Sequence, residues 1–378
     1  MKKNNKTPKL RFSGYTDDWE QRKLENIVEV CSGRDYKHLE AGNIPVYGTG
    51  GYMLSVSEAL SYDVDAIGIG RKGTIDKPYI LKAPFWTVDT LFYCICKEGH
   101  NLNFVYDIFQ NINWKAMDES TGVPSLSKTT INKVKTLIPS YLEQEKIGKY
   151  FSCLDKLITL HQRKLEKLQN MKKSCLQKMF PKDGATVPEI RFSEFQGDWE
   201  ERTLGSCFDE RLESLPDGEL LSVTIGSGIK KFSELDRHDN SNTDKSKYKR
   251  VCIGDIAYNS MRMWQGASGR SSYEGIVSPA YTVVKPIGDI DTQFFAYMFK
   301  KKEIIRLFEI NSQGLTSDTW NLKYPAFSKI VVRVPRNVEE QSRIARFLLE
   351  LDELISCTEQ EIEITKRMKK GCLQKMFV

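Results

Sequence analysis

The feature that most constrains the fold of this chain is an internal repeat. The stretch PKLRFSGYTDDWEQRKL at Pro8–Leu24 returns as PEIRFSEFQGDWEERTL at Pro188–Leu204, with nine of 17 positions identical. The decamer MKKSCLQKMF at Met171–Phe180 returns as MKKGCLQKMF at Met368–Phe377, with nine of ten positions identical. A chain of 378 residues is long enough for two domains, and this repetition indicates that one unit was duplicated.

The segments between the repeated flanks differ from each other. A further repeated segment precedes each decamer, EQEKIGKYFSCLDKLI at Glu143–Ile158 and EQSRIARFLLELDELI at Glu340–Ile355. The interiors that remain, Glu25–Leu142 and Gly205–Glu339, are 118 and 135 residues long and show little similarity. We call the repeated flanks, helix starts and decamers the frame. A duplicated frame around two different interiors fits a protein that recognises two different targets.

Each segment that ends in a decamer has the spacing of a coiled-coil helix, with mostly apolar residues at alternating intervals of four and three. The first seam is Ile147, Phe151, Leu154, Ile158, His161, Leu165, Leu168, Lys172, Cys175 and Met179. The second is Ile344, Leu348, Leu351, Ile355, Thr358, Ile362, Thr365, Lys369, Cys372 and Met376. Because one such helix cannot bury its seam alone, we expect the two copies to pair as an intramolecular antiparallel coiled coil. The alternative is that each helix packs on its own domain.

The interiors are rich in short β-type runs that glycine and proline interrupt, such as NIPVYGTGGYM, TINKVKTLIP and GIVSPAYTVVKP, and helical pattern is limited to pieces such as TQFFAYMFKKKEIIRLF. We therefore predict an α+β protein with two β-rich domains separated by the two long helices, related by a pseudo-twofold internal repeat. The predicted boundaries are 1–142 for the first domain, 143–182 for the central helix, 183–339 for the second domain and 340–378 for the last helix.

Loops of both interiors carry residue types that read base edges, namely arginine, glutamine and small hydroxyls beside glycines. The loops are VYGTGG and GRKGT in the first interior, and NSMRMWQG and SGRSSY in the second. The candidate base readers are Tyr47, Thr49, Arg71, Lys72, Arg262, Gln265 and Arg270, and the candidate phosphate contacts are Lys128, Lys230 and Lys231. Any one of these residues could equally belong to an ordinary surface turn.

Composition excludes several other classes of protein. The net charge of +6 is modest for a nucleic-acid binder, so charge alone decides little. No apolar run approaches the roughly 18 residues that cross a bilayer, and the basic N-terminal stretch lacks the apolar segment of a secretory signal, so we expect no membrane contact and a cytoplasmic location. Nine cysteines without paired spacing and four histidines without ligand spacing indicate neither disulfides nor a metal site.

Two segments look superficially catalytic. GIGRKG at Gly68–Gly73 matches the dinucleotide-binding pattern, but β-branched residues and a proline follow where a helix is required. SPAY at Ser278–Tyr281 is similar to the catalytic motif of DNA amino-methyltransferases, but Ala280 replaces its second proline and no glycine-rich donor-binding turn accompanies it. We expect no catalytic residues in this chain.

The chain resembles the specificity subunits of Type I restriction-modification systems over nearly its whole length. The resemblance is carried by the twin flanks LRFSGYTDDWEQRKL and IRFSEFQGDWEERTL, the two repeated helix starts, the two decamers, and the interior runs IPVYGTGG, GRKGTIDKPYILKAPFWTVDTLFY and EGIVSPAYTV. It implies a non-catalytic subunit with two target-recognition domains, each of which reads one half of a split, asymmetric site on double-stranded DNA.

The resemblance also implies partners. Two adenine-methyltransferase subunits would dock on the repeated regions, and two restriction subunits would join them, so that S-adenosylmethionine and ATP with Mg²⁺ belong to the partners and no cofactor to this subunit. Two alternatives stay open: a DNA methyltransferase with a degenerate site at Ser278–Tyr281, and a coiled-coil interaction adaptor without a DNA role. The decamers are constant while the interiors differ, so coil packing or methyltransferase docking fits them better than DNA binding.

Overall fold

The computed structural model describes residues 6–182, 184–226, 228–236, 238, 241–316 and 319–378. The chain divides into two compact units. Unit 1 combines Met1–Arg163 with Thr358–Val378, and unit 2 is Lys164–Cys357. Within the described ranges, no helix is long and apolar enough to cross a membrane.

Unit 1 is built on short sheets whose strands pair antiparallel, with one parallel exception. Its strands are β1 Glu20–Lys23, β2 Val28–Ser32, β3 Ala41–Gly48, β4 Gly51–Val56, β5 Ala66–Gly70, β6 Tyr79–Leu81, β7 Trp86–Thr87, β8 Leu91–Cys96 and β9 Lys135–Ile138. The largest sheet has the order β2-β8-β5-β6, a second has the order β4-β3-β7 with β3 and β7 parallel, and β1 pairs with β9. Strand β5 is buried along its whole length, which explains the continuous apolar and glycine run AIGIG.

Two short helices complete the interior of unit 1. Helix α1 spans Leu102–Asn111 and begins at Asn101, whose side chain accepts a hydrogen bond from the Phe104 amide. Helix α2 spans Lys128–Lys133, with Ser127 as its N-cap. The expectation that the run TINKVKTLIP is β-type is therefore wrong for its first part, because the capping hydroxyl starts a helical turn before β9.

Unit 2 repeats this plan with a different sheet. Its strands are β10 Glu200–Thr203, β11 Phe208–Glu210, β12 Leu221–Thr224, β13 Gly228–Lys231, β14 Lys249–Val251, β15 Ile256–Asn259, β16 Ser268–Arg270, β17 Gly275–Val277, β18 Tyr281–Pro286 and β19 Val331–Val334. The four-stranded sheet has the order β11-β18-β15-β16, the pairs β12-β13 and β14-β17 flank it, and β10 pairs with β19.

The helices of unit 2 are short apart from the repeated segments. They are α4 Leu204–Cys207, α5 Thr292–Met298, α6 Lys302–Ile310 and α7 Tyr324–Phe327. The helical run Thr292–Phe308 is thus divided between α5 and α6. The break coincides with Lys300 and Lys301, whose ammonium groups donate to backbone carbonyls elsewhere in the unit.

The two repeated segments form long helices, as predicted. They are α3, Tyr141–Lys178, and α8, Val338–Met376. Every predicted seam position is buried or half-buried. In unit 1 the ammonium of Lys369 lies 2.6 and 2.7 Å from the two carboxylate oxygens of Asp155, and in unit 2 Lys172 pairs with Asp352. Each pair joins an early position of one helix to a late position of the other, so the helices run antiparallel and the predicted fold class is confirmed.

The decamers end the long helices inside the hydrophobic cores. Phe377 stacks on Phe104 in unit 1, with ring centroids 5.4 Å apart, and Phe180 stacks on Phe294 in unit 2 at 5.2 Å. Full burial of one such ring stabilises the fold by about 1.5–3 kcal/mol. Packing of the decamers is therefore confirmed, and each long helix begins in one unit and ends in the other.

Candidate functional site

In unit 1, three strand ends place two arginines at one edge of the main sheet. Ser32 at the end of β2 and Gly70 at the end of β5 both lie opposite the start of β8. The residues that follow are fixed to the turn before β8, because the Arg34 amide donates to Thr87 O at 2.9 Å and the Arg71 amide donates to Thr90 O at 2.8 Å. Both arginines are exposed.

The basic loop that follows β5 is held rigidly by its backbone. The Leu126 amide donates to Arg71 O at 2.9 Å, and the Gly73 amide donates to Pro124 O at 2.8 Å. This pairing brings the start of α2, where the exposed Lys128 is the first helical residue, beside the loop. The Arg71 guanidinium stands 5.8 Å above the Phe92 ring, a contact that leaves its hydrogen-bond donors largely available.

The turn between β3 and β4 lies next to the same loop. Thr49 Oγ1 is 3.6 Å from the position that a Cβ on Gly73 would take. Tyr47 is half-buried between Tyr52 and Tyr79, with ring centroids 6.4 and 6.1 Å away. The Tyr79 hydroxyl donates to Gly48 O at 2.6 Å, and burial raises its pKa, so it stays a proton donor and fixes the turn.

Unit 1 therefore has four exposed cations on the segments that follow β2 and β5 and at the start of α2, which we call the basic edge. It comprises Arg34, Arg71, Lys72 and Lys128. Sequence reasoning found three of these four residues and missed Arg34. The available signal was the segment CSGRDY, in which Gly33 follows a β-type run and allows the chain to pass close to another strand. A Cβ at Gly33 would lie only 2.0 Å from Val88 O.

In unit 2 the candidate readers Arg262 and Gln265 belong to one tight turn. A 3-10 helix spans Met263–Gln265, and Gly266 closes it with φ +81°. Arg262 is exposed and makes no side-chain hydrogen bond or ion pair with the described residues. Trp264 packs edge-to-face against Trp320 at 5.4 Å and supports the turn from one side. We call Arg262–Gly266 the reader turn.

Three other candidates in unit 2 stand in a different environment. Lys231 forms an ion pair with Glu219 at 2.9 Å, which raises the pKa of the lysine, and it also lies over the Tyr273 ring. Arg270 Nε donates to Thr292 Oγ1 at 3.0 Å. Lys230 is half-buried on β13. The charges of Lys231 and Arg270 are thus engaged within the unit, whereas Arg262 points its charge toward solvent.

The two segments that look catalytic take other roles. Gly68–Gly70 forms the end of β5, and the chain continues into the basic loop and not into a helix. Ser278–Tyr281 forms a turn before β18, in which the Tyr281 amide donates to Ser278 O at 3.0 Å. Among the residues with described positions, no cluster of three or more potential metal ligands occurs.

Comparison with known proteins identifies the class. Residues 16–170 match the family described as "Type I restriction modification DNA specificity domain". The Type I restriction enzyme MjaVIII specificity subunit of Methanocaldococcus jannaschii is 23% identical over 288 residues, covering 68% of this chain and 64% of that protein. The putative MjaX specificity subunit of the same organism is 29% identical over 241 residues, or 52% of this chain and 54% of that protein.

A solved structure shares the fold. The Type I restriction-modification S subunit from M. genitalium has a TM-score of 0.69 at 16% identity, and the match covers 98% of this chain and 99% of that one. The matched regions span between half and two thirds of the curated relatives' lengths. The chain shares its fold with the M. genitalium subunit, and the family match assigns a Type I DNA specificity domain to residues 16–170. The match over residues 16–170 and the curated relatives confirm the resemblance of this chain to Type I restriction-modification specificity subunits.

Proposed function

We propose that this chain is the non-catalytic subunit that gives a Type I restriction-modification complex its DNA sequence specificity. Unit 1 would bind one half of a bipartite, asymmetric site and unit 2 the other half. The observation that carries the proposal is the basic edge, where four exposed cations are held by backbone hydrogen bonds on one side of a sheet. Fixed cations position a protein on phosphates, and arginines among them can read guanine.

The roles of individual residues follow from their environments. Arg71 and Arg262 are the best candidates for base readout, because both are exposed and both stand on turns that the backbone fixes. Arg34, Lys72 and Lys128 suit phosphate contacts beside Arg71. Tyr47, Thr49 and Gln265 are further candidates for base readout. Lys230 and Lys231 are weaker candidates for phosphate contacts, and Arg270 is a weaker candidate for base readout. Internal partners hold Lys231 and Arg270, and Lys230 is half-buried.

The partners belong to the proposal as well. Two methyltransferase subunits would dock on the repeated frame, whose two copies offer similar residues in units 1 and 2, and two restriction subunits would complete the complex. S-adenosylmethionine, ATP and Mg²⁺ would be bound by those partners. The chain would act in the cytoplasm, where its DNA target is present.

The test is methylome sequencing of a host that expresses this chain with its methyltransferase. A split motif with modified adenine in both halves is the expected result. Unmethylated DNA in the presence of an active methyltransferase would contradict the proposal. Binding to duplex DNA should also weaken steeply with salt, and replacement of all four cations of the basic edge by alanine should lower the slope by about 0.9 for each phosphate that the protein no longer neutralises. Absence of salt-sensitive duplex binding, even with the methyltransferase present, would favour the coiled-coil adaptor without a DNA role.

A further inference from the structure

Lys300 occupies an unusual position in unit 2. It follows α5 and is half-buried. Its ammonium group donates to three backbone carbonyl oxygens, those of Ile225 at 3.1 Å, Gly266 at 2.7 Å and Ser268 at 2.8 Å. All three N–H bonds of the ammonium are therefore used, and none goes to a carboxylate.

The three carbonyls belong to two loops that are far apart in sequence. Ile225 lies in the turn between β12 and β13. Gly266 closes the reader turn, and Ser268 begins β16 immediately after it. A single cation thus joins the β12-β13 hairpin to the turn that carries Arg262 and Gln265. The reader turn is closed by its own backbone hydrogen bonds, such as that from the Gly266 amide to Met263 O at 2.8 Å, and Lys300 adds the side-chain contact that ties it to the hairpin.

The corresponding site in unit 1 lacks this cation. The helix starts correspond, because the amides of Asn101 and Asp291 each donate to the side-chain oxygen of a glutamine on the adjacent long helix at 3.1 Å. Counting from these residues, Gln110 stands where unit 2 has Lys300. The buried Gln110 Oε1 has no hydrogen-bond partner among the described residues. We call the three hydrogen bonds from the Lys300 ammonium the cationic clamp. Unit 1 has no cation at the corresponding position, so the clamp is particular to unit 2 among the described residues.

The charge of Lys300 is sensitive to its surroundings. Burial lowers its pKa to about 8, and the ammonium of Lys172 on α3 contributes in the same direction. Lys172 is itself paired with Asp352 of α8 and lies over the Tyr297 ring of α5. The other charged residues that line the same pocket as Lys300 are Lys173, Lys301, Lys302 and Glu303. A neutral amine has only two N–H bonds and cannot satisfy three carbonyls.

We propose that Lys300 is a positioning residue for DNA recognition, which holds the reader turn of unit 2 against the β12-β13 hairpin in the geometry that discriminates one half-site. This proposal rests on the proposed function. Lys300 acts through Arg262 and Gln265 and does not itself touch DNA. Loss of its positive charge frees the reader turn and relaxes discrimination at the half-site of unit 2, while recognition by unit 1 is unchanged.

The test uses the full chain in complex with its methyltransferase and duplexes altered in one half-site at a time. The variants are Lys300→Gln, which reproduces the residue of unit 1, and Lys300→Arg, which keeps the charge at all accessible pH values. The control is Lys302→Met, which removes an exposed lysine two residues away. Thermal unfolding of every variant verifies that it is folded.

We expect Lys300→Gln to reduce discrimination at the half-site of unit 2 by roughly tenfold or more, and to leave discrimination at the other half-site unchanged. Wild-type discrimination at the half-site of unit 2 should fall as pH rises from about 7 to about 9.5, because Lys300 loses its charge. Lys300→Arg should remove that pH dependence. Lys302→Met should match wild type. Equal discrimination by wild type and Lys300→Gln, or a wild-type profile that does not change with pH, would overturn the proposal.

Amide hydrogen exchange separates this proposal from the proposed function. In the chain without DNA, Lys300→Gln should accelerate exchange by about tenfold in residues 259–268 and 224–226, and Lys302→Met should not. If wild type does not bind DNA but Lys300→Gln still accelerates exchange, the proposed function is wrong and the structural role of Lys300 is supported. Unchanged exchange in both loops would refute the clamp whatever the DNA result.

Discussion

The strongest stability prediction concerns the arginine–glutamate pair that anchors each copy of the repeated frame. Arg191 donates to both carboxylate oxygens of Glu340, at 2.7 and 2.8 Å, and Trp199 Nε1 adds a third bond at 3.2 Å. The Glu340 side chain is only 2% exposed. Replacement Arg191→Met keeps much of the aliphatic volume but leaves a buried carboxylate without its cation. Breaking a buried pair in this way costs about 3–5 kcal/mol.

The corresponding pair in unit 1 allows a second measurement of the free-energy cost of removing the arginine from a buried arginine–glutamate pair. Arg11 donates to Glu143 at 2.7 and 2.8 Å, and Glu143 is 1% exposed. Trp19 Nε1 has no acceptor among the described residues, whereas the equivalent Trp199 Nε1 donates to Glu340. When the arginine is removed, Glu340 therefore keeps one hydrogen bond that Glu143 lacks. Arg11→Met should therefore destabilise its unit at least as much as Arg191→Met destabilises unit 2.

The assay is urea unfolding followed by hydrogen exchange of peptides from each unit, because one global midpoint is not defined for a chain with two units. The control is Arg22→Met, which removes an exposed ion pair with Glu20 and should cost no more than about 1 kcal/mol. In the double variant Arg191→Met, Glu340→Gln, most of the stability should return. A destabilisation by Arg191→Met as small as that of the control would refute the reasoning.

Three further predictions follow from single side chains. Arg71→Ala and Arg262→Ala should each cost about 1–3 kcal/mol in discrimination at one base position, and equal weakening for cognate and unrelated duplexes in binding titrations would rule out base readout. Lys72→Ala should weaken binding to all duplexes alike and lower the salt slope by about 1. Burial and the nearby Asp155 raise the pKa of the Asp107 carboxyl well above its usual value, against the opposing charge of Lys369. Its stabilising contribution is therefore full below about pH 4 and is lost as pH rises through the raised pKa, so Asp107→Asn should unfold at higher urea than wild type at neutral pH and lose this advantage in acid.

The long helices could be predicted from sequence because their pattern is local and repeated. The four-three spacing is visible along each segment, and the duplication removes doubt about its limits. The division of Thr292–Phe308 into two helices could not be predicted in this way. The break coincides with Lys300 and Lys301, whose carbonyl partners lie up to 120 residues away along the chain, so the local sequence does not indicate it.

The candidate site shows the same division between local and distant information. Arg71 and Lys72 were predictable because glycines mark a loop on both sides of them. The internal partners of Lys231 and Arg270 were not, since Glu219 and Thr292 come from other elements and nothing in the local sequence indicates the contact. Arg34 was missed because its neighbours on the basic edge join it only through strand pairing.

The shared decamer has a consequence for how such a chain can change over generations. Its last aromatic residue fills equivalent places in two cores, against Phe104 in one and Phe294 in the other. A genetic crossover between the two copies inside this stretch would therefore join either interior to a helix end that both cores accept. Exchange of whole segments bounded by the decamers between two such chains would thus leave the same aromatic residue in each core, without a compensating mutation in the frame.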